Sequence, residues 1–252
     1  MHEPNEIRTW PCQHLGQRVL IFDSVSSTND LAAQAPEAGT VFIADEQTSG
    51  RGQHGRVWQS AVGTSLLMSI NLNPPTRLRR PVLLTAWAAV AVADAIFQLS
   101  GLQANLKWPN DLLVNGKKVC GILIEQNRSI VLGLGLNLSQ TAADFAQAEL
   151  PSATSLMIES GRRVSPLQAA ETAVHSLDVQ YGKLLSDELL PLESEWRSRI
   201  ALVGRPVVLE LLDGSFRVGR LNDLTFTEVV LILTDGSLFR TSPEGIRHIT
   251  PG

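Results

Sequence analysis

Cysteine is scarce: Cys12 and Cys120 are the only two in 252 residues. Two thiols allow one disulfide at most and nothing requires it, so reduced thiols in a cytoplasmic protein are the expectation. Histidine is sparse too. Its five residues are scattered, with no pair at zinc-ligand spacing, which argues against a dedicated histidine metal site. Positive charge is not in excess, since 21 Lys and Arg against 25 Asp and Glu give a net charge of -4. No global basic field is available for DNA or RNA, so any anion site must be assembled locally. Long apolar runs are few. The longest, residues 81–99, is alanine-rich, carries Asp94 and Gln98, and reads as a buried core helix, not a membrane span. Residues 1–17 lack the apolar h-region of a signal peptide. Internal repeats and low-complexity tracts are missing as well. What is present, 44% hydrophobic and 18% charged residues, suffices for a packed core in one large domain and a small one.

Residues 19–22 read as a short strand, after which Ser26, Ser27, Thr28 and Asn29 offer caps to a helix from about Asp30 to Ala35. Residues 40–44 form a compact apolar run, a further strand. Residues 65–72 alternate cleanly. Leu66, Met68, Ile70 and Leu72 share one face, and Ser65, Ser69 and Asn71 share the other with Leu67, giving one core face and one mostly polar face. Pro81 suits the first position of the long helix, where a missing amide costs nothing. Residues 112–114 and 118–124 flank Asn115-Gly116, the pair preferred in a two-residue type I′ hairpin turn. Ser165-Pro166-Leu167-Gln168 has capping-box spacing and starts a helix reaching to about Leu185. From Val203 onward the character changes. Runs 207–211, 215–221 and 229–233 are punctuated by Asp213-Gly214 and Asp235-Gly236, which predicts a small all-β barrel. The boundary falls near residues 200–205, dividing the chain into 1–202 and 203–252.

The segment Gly50-Arg51-Gly52-Gln53-His54-Gly55-Arg56 satisfies dinucleotide-binding GxGxxG spacing, but Val57-Trp58-Gln59-Ser60 has no helical pattern to follow it. The phosphate-binding P-loop pattern fails too, with Arg56 at the lysine position and Val57 at the serine or threonine position. What remains is a flexible backbone that approaches a ligand closely and carries two guanidinium groups able to hold a phosphate. A surface loop with solvated arginines fits the same residues. Lys107-Trp108-Pro109-Asn110-Asp111 puts a lysine, an amide and a carboxylate within five positions; the alternative is a tight polar turn with Trp108 filling the core. Lys118 follows the hairpin turn, on the same strand face as Cys120 and Ile122 by simple alternation, and Gly121 interrupts the strand, as close packing against its backbone would require. Residues 130–138 give the most readable clue. Leu132, Leu134, Leu136 and Leu138 form one apolar face, while Val131, Gly133, Gly135 and Asn137 form the other, left bare by two glycines. Either a ligand lies flat on that surface or a helix packs closely against it.

Taken in order, Ser27-Thr28-Asn29, Gln47, Gly50-Arg51-Gly52 through Trp58, Lys107 to Asp111, Gly116 to Glu125 and Gly133 to Asn137 resemble the biotin protein ligases. The likeness spans residues 24–137, and the β-rich tail is similar to the family's small C-terminal SH3-like domain. It implies an α/β (α+β) catalytic domain with a mixed β-sheet. It also implies ATP-dependent activation of biotin to biotinyl-5′-AMP, followed by transfer to a lysine of a biotin carboxyl carrier protein of acetyl-CoA carboxylase or a relative. Under that resemblance Ser27, Thr28, Asn29, Gln47, Gly50, Arg51, Gly52, Lys118 and Gly121 bind biotin. Arg51, Arg56, Trp58, Asn110, Lys118 and Asn137 serve ATP. Arg51, Lys118 and Asp111 are the catalytic set, and Asp111 also meets Mg2+. Gln53 stands where many members have arginine, which implies looser retention of the adenylate. The tail Glu244-Gly245-Ile246-Arg247 does not align with the residues that reach ATP in some members. The stretch before the first catalytic strand is too short for a winged-helix domain, so a repressor role is not expected. A homodimer formed edge to edge through residues 118–125 is compatible with the sequence; nucleic-acid and membrane partners are not expected. The nearest rival reading is a lipoate or octanoate ligase, and the 50–58 loop and residues 107–111 speak against it.

Overall fold

The computed structural model describes residues 3–127 and 129–252, with His54 described by its backbone alone. The start of the stretch read for a leader, residues 1–2, lies outside them. Eight strands form a mixed sheet: β1 (Glu6–Arg8), β2 (Val19–Val25), β3 (Val41–Gln47), β4 (Ser65–Leu72), β5 (Asn105–Lys107), β6 (Asp111–Val114), β7 (Lys117–Gln126) and β8 (Ile130–Asn137). Their order is β1-β2-β3-β4-β8-β7-β6-β5. The β2–β3 pair is parallel, joined through helix α1 (Thr28–Ala33), and the remaining neighbours are antiparallel. The other helices are α2 (Pro81–Ser100), α3 (Ala142–Gln147), α4 (Leu156–Ser160), α5 (Pro166–Leu185) and α6 (Leu189–Ile200).

Helix α2 is the axis of the core. By length and hydropathy it could cross a membrane, yet 78% of its most apolar window is buried inside the fold. Alanines 86, 88, 89, 91, 93 and 95 are fully buried, and their small side chains let the sheet, α5 and α6 approach from several sides. A helix enclosed in this way has little need of a polar face, which explains a long run with few polar residues, Asp94 and Gln98 among them. Pro81 opens it and Gly101, at φ 76°, closes it in the left-handed conformation.

The second sheet contains β9 (Pro206–Leu211), β10 (Phe216–Leu224), β11 (Val229–Leu233), β12 (Leu238–Thr241) and β13 (Ile246–Pro251), in antiparallel order β12-β11-β10-β9-β13. The all-β unit expected here is this five-stranded sheet, and no pairing closes β12 onto β13 among the described residues. The two sheets share one apolar core. Trp108, Trp196 and Phe226 stack in a row, with ring centroids 5.9 and 5.1 Å apart, and Trp108 Nε1 donates to the Ile246 carbonyl. Arg80 ties the sheets further through the Glu244 carboxylate at 2.8 Å and the Phe226 carbonyl.

Other expectations need amending. Helix α1 begins at Thr28, two residues early, and Ser27 at its N-cap makes no capping bond with its side chain. Ser165 caps α5 by accepting from the Gln168 amide, but the full reciprocal box is found at Thr141 and Asp144 instead. β7 pairs with β8 over residues 120–126 and with β6 at residues 117–121, and β1 and β5 are the end strands of the sheet. β4 is buried on both faces because α1 covers the polar one.

Candidate active site

Strand parity lays the floor of the site. On β8, Leu132, Leu134 and Leu136 enter the helical core, while Gly133, Gly135 and Asn137 line a cavity of about 1030 Å3. β4 lies beside it in register, with Ser69 opposite Gly133 and Ser65 opposite Asn137. On its other side β7 sets Gly121 opposite Gly135. Val208, Glu210, Phe216, His248 and Thr250 of the second sheet also line the cavity.

Of the alternatives left open by the sequence, close helix packing holds at Gly133, and at Gly135 the neighbour is a side chain from the glycine-arginine loop. A Cβ on Gly133 would overlap the Asn29 amide, so this glycine admits helix α1. A Cβ on Gly135 would stand 2.5 Å from Trp58 Cε2, and one on Gly121 would stand 3.0 Å from Trp58 Cζ3. The indole of Trp58 therefore lies across the diglycine strip as the immediate cover of the floor. Its Nε1 is buried with no protein partner among the described residues.

Lys118 reaches this face through an irregularity that alternation does not anticipate. The β6–β7 register shifts between Leu112 and Leu113, pairing Leu112 with Cys120 and Leu113 with Lys118. The extra residue, Val119, is a β-bulge. Val119 and Cys120 are both buried in the core, and Lys118 crosses to the side of Gly121. The expectation that Lys118 shares a face with Cys120 and Ile122 is thus corrected. Lys118 Nζ sits 2.7 Å from Asp111 Oδ1 and 5.7 Å from the centroid of a Trp58 ring. Asn110 donates from Nδ2 to the Ile122 carbonyl, which pins the loop end beside Asp111.

At the other end of the cavity a polar cluster links α1, β3 and β4. The Thr28 amide donates to Gln47 Oε1 at 2.8 Å, and the Thr28 hydroxyl lies 2.7 Å from that of Ser69. Ser69 donates to Asn29 Oδ1, and Asn29 Nδ2 donates to Glu125. Arg51 grips Asp30 with two parallel bonds of 3.0 and 2.7 Å and approaches Glu125 at 3.5 Å. Hydrogen bonding to Asp30 holds the Arg51 cation more firmly than usual, partial burial opposes this, and Glu125 adds to it. The glycine-arginine loop is held by a bridge between Arg51 and Val57 and by the Gly52 amide donating to the Arg56 carbonyl at 2.7 Å.

Ser27, Thr28, Asn29, Gln47, Arg51, Gly52, Arg56, Trp58, Asn110, Asp111, Lys118, Gly121 and Asn137 all line this one cavity. Gly50 does not. A Cβ there would lie 2.6 Å from the Trp58 carbonyl, so its role is to let the loop close on itself. Sequence reasoning passed over Asp30, Ser69, Glu125 and Gln140. Ser69 had a signal, as a hydroxyl on the polar face of β4; Glu125 had one, as a carboxylate ending an apolar strand. Cys12 and Cys120 are free thiols. Burial pushes Cys12 up to about 11 and Cys120 further still, so neither is a nucleophile at neutral pH.

The face of the mixed sheet on which α1 packs carries cations, carboxylates and a hydrogen-bonding cluster, and residues 21–137 match the Biotin/lipoate A/B protein ligase family. The bifunctional ligase/repressor BirA of Bacillus subtilis is 33% identical over 246 residues, covering 93% of this chain and 73% of that protein. The biotin–[acetyl-CoA-carboxylase] ligase of Mycobacterium tuberculosis is 32% identical over 211 residues, covering 79% of this chain and 76% of its own. The chain belongs to the biotin protein ligases of that family. Its fold agrees with biotin protein ligase from Aquifex aeolicus in complex with biotin and ATP, at a TM-score of 0.81 and 24% identity over 93% of this chain and 99% of the other.

Proposed function

We propose that this chain condenses biotin with ATP to biotinyl-5′-AMP and then transfers biotin to a lysine of a biotin carboxyl carrier protein. The observation that supports this most is that Lys118 and Arg51 open onto the same cavity as Thr28 and Gln47, which are hydrogen-bonded to each other. In the first step a biotin carboxylate oxygen attacks the α-phosphorus and pyrophosphate leaves. The two reactants carry like charge, so cations must bring them together and stabilise the transition state. Arg51 and Lys118 would do so. Ser27, Thr28, Asn29 and Gln47 would hold the ureido end, with Gly121 giving access to backbone. Trp58, Arg56, Asn110 and Asn137 would serve the nucleotide. In the second step the lysine nitrogen attacks the acyl carbon, AMP departs, and the proton released from the amine passes to a base, for which Asp111 is positioned. Units 1–202 and 203–252 would then be a catalytic domain and a closing wall.

Magnesium fits the donor set. Asp111 and Asn110 supply hard oxygen atoms on the cavity wall, as a cation held by one carboxylate together with substrate phosphates requires. Bound there, it would offset the triphosphate charge. The names of relatives such as the Mycobacterium tuberculosis ligase support a carrier belonging to acetyl-CoA carboxylase or a related carboxylase.

The test mixes the protein with magnesium, ATP and either biotin or lipoate, following pyrophosphate release and the acyl-AMP by mass spectrometry. Biotinyl-AMP with little lipoyl-AMP is expected. Lipoyl-AMP alone would move the chain to the lipoate branch, and no adenylate from a folded sample would refute the reaction.

A further inference from the structure

The polar cluster that joins α1, β3 and β4 has a direction, and a carboxylate behind it sets that direction. Glu125 of β7 lies outside the cavity lining and bonds to Asn29, which does line it. An ionised carboxylate only accepts, so the Asn29 amide turns Nδ2 to Glu125, which Arg51 also approaches at 3.5 Å. Asn29 Oδ1 is thereby committed to Ser69, which spends its one hydroxyl proton on it. Turning the Asn29 amide over would set its carbonyl oxygen against the carboxylate. At the other end the Thr28 amide proton goes to Gln47 Oε1 at 2.8 Å and fixes the Gln47 amide in the same way. Three oxygen–oxygen contacts run between these two fixed acceptors. They are Asn29 Oδ1 to Ser69, Ser69 to Thr28 at 2.7 Å, and Thr28 to Gln47 Oε1 at 2.9 Å. The two hydroxyls hold two protons for three contacts, so one contact goes without. Ser69 and Thr28 are both buried, and a bare contact between them would leave two acceptors face to face with no relief. Thr28 and Gln47 both line the cavity, so the deficit belongs there, within reach of a ligand donor.

We propose that Glu125 is a positioning residue for biotin. Acting through Asn29 and Ser69, it draws the Thr28 hydroxyl proton away from Gln47, which leaves one lone pair of Gln47 Oε1 to accept an N–H of the ureido ring. This rests on the biotin reading above and adds to it a residue that does not touch the ligand. Without an acceptor at position 125 the Asn29 amide is free to turn. Its Nδ2 then donates to Ser69, Ser69 to Thr28 and Thr28 to Gln47, and all three contacts are filled. Gln47 Oε1, with both lone pairs engaged by Thr28, no longer accepts from the ligand. An acyl group whose ring has no N–H, such as lipoate, leaves the wild-type deficit unrelieved, so the same device discriminates between acyl groups.

The experiment measures kcat and the KM for biotin in biotinyl-AMP formation. Glu125→Leu should raise KM about tenfold and leave kcat within about twofold, as loss of one ligand hydrogen bond made equally in ground and transition states requires. Glu125→Gln should stay close to wild type, because Asn29 Nδ2 and Arg51 turn its amide oxygen to the place of the carboxylate oxygen. Ser69→Ala cuts the chain and lets Thr28 donate to Gln47. It should raise KM by a similar factor, and adding Glu125→Leu to it should change little more. Wild-type KM in Glu125→Leu or in Ser69→Ala overturns the proposal. So does a full effect of Glu125→Leu in the Ser69→Ala background, or Glu125→Gln behaving like Glu125→Leu, which would make charge the cause. Glu125 is partly exposed, and thermal unfolding verifies that each variant is folded. Ser69→Ala and Glu125→Gln test the proposal even if Glu125→Leu fails to fold. No biotinyl-AMP from the wild-type protein would instead refute the underlying reaction, and the inference with it.

Discussion

Adding one methyl group at Gly135 should separate the fold from its site. Gly135 lies in regular strand β8, so alanine is acceptable to the backbone, and a methyl on a strand costs nothing by itself. The obstacle is the indole: the new Cβ would stand 2.5, 2.6 and 2.8 Å from Trp58 Cε2, Cζ2 and Cδ2. Contacts that short involve a rigid ring, so the ring must leave the floor or the strand must shift. Overpacking of this kind costs about 1–3 kcal/mol. For a chain of this size each kcal/mol lowers Tm by about 2–4 °C. Gly135→Ala should therefore lose several degrees in the Trp58 background. In a Trp58→Ala background the same substitution meets no ring and should cost close to nothing. The coupling between the two changes should then be about 1–3 kcal/mol, well above the scatter of independent sites. The assay is thermal and urea unfolding of the four proteins, with biotinyl-AMP formation alongside. Activity of Gly135→Ala should fall at least tenfold, because the displaced ring no longer covers the reacting groups. Additive stabilities would mean that Trp58 does not rest on Gly135, and unchanged activity would detach the ring from the reaction.

Lys118→Ala should cut adenylate formation at least tenfold, measured by pyrophosphate release; near wild-type rates would remove its assigned role. Gln53, which lines the cavity from the glycine-arginine loop, should retain the adenylate less well than arginine. Release of biotinyl-AMP no slower from Gln53→Arg than from wild type would defeat that idea. Glu159 accepts from Thr154 Oγ1 and Asn115 Nδ2, and the bond from Thr154 is the main reason its carboxyl is held below the usual 4.5. A depressed carboxyl stabilises the fold above the unfolded value and loses that contribution as pH falls through the folded one. The stability gap between wild type and Glu159→Gln should thus be full at neutral pH and shrink as the pH falls through the lowered folded value, which denaturant melts across the acid range would check.

Much of the site was legible because local chemistry leaves local marks. Period-two alternation told which residues of β4 and β8 face the core, since successive side chains of a strand point to opposite faces. Asn115 and Gly116, at φ 50° and 79°, adopt the turn that their residue types demand. Asp213-Gly214 and Asp235-Gly236 marked turns for the same reason, with Gly214 and Gly236 at φ 83° and 84°. Alternation misled at Lys118, because a bulge depends on the partner strand and not on the residues that contain it. Strand order was out of reach as well. Nothing in the sequence of β7 announces that it lies between β6, which pairs with its first half, and β8.

What this sequence determined by itself was the inventory: an alanine-rich core helix, a diglycine strip, a loop with two arginines, and a lysine and carboxylates near a hairpin. Those follow from steric and solvation preferences that act over a few residues. Only the tertiary structure decided which of them meet. Arg51 pairs with Asp30 and Glu125, Trp58 lies on Gly135, and Glu125 orients Ser69 through Asn29. Each of these is a contact between distant segments, set by the order of strands and the volume that their side chains can fill, and no short window of sequence encodes either.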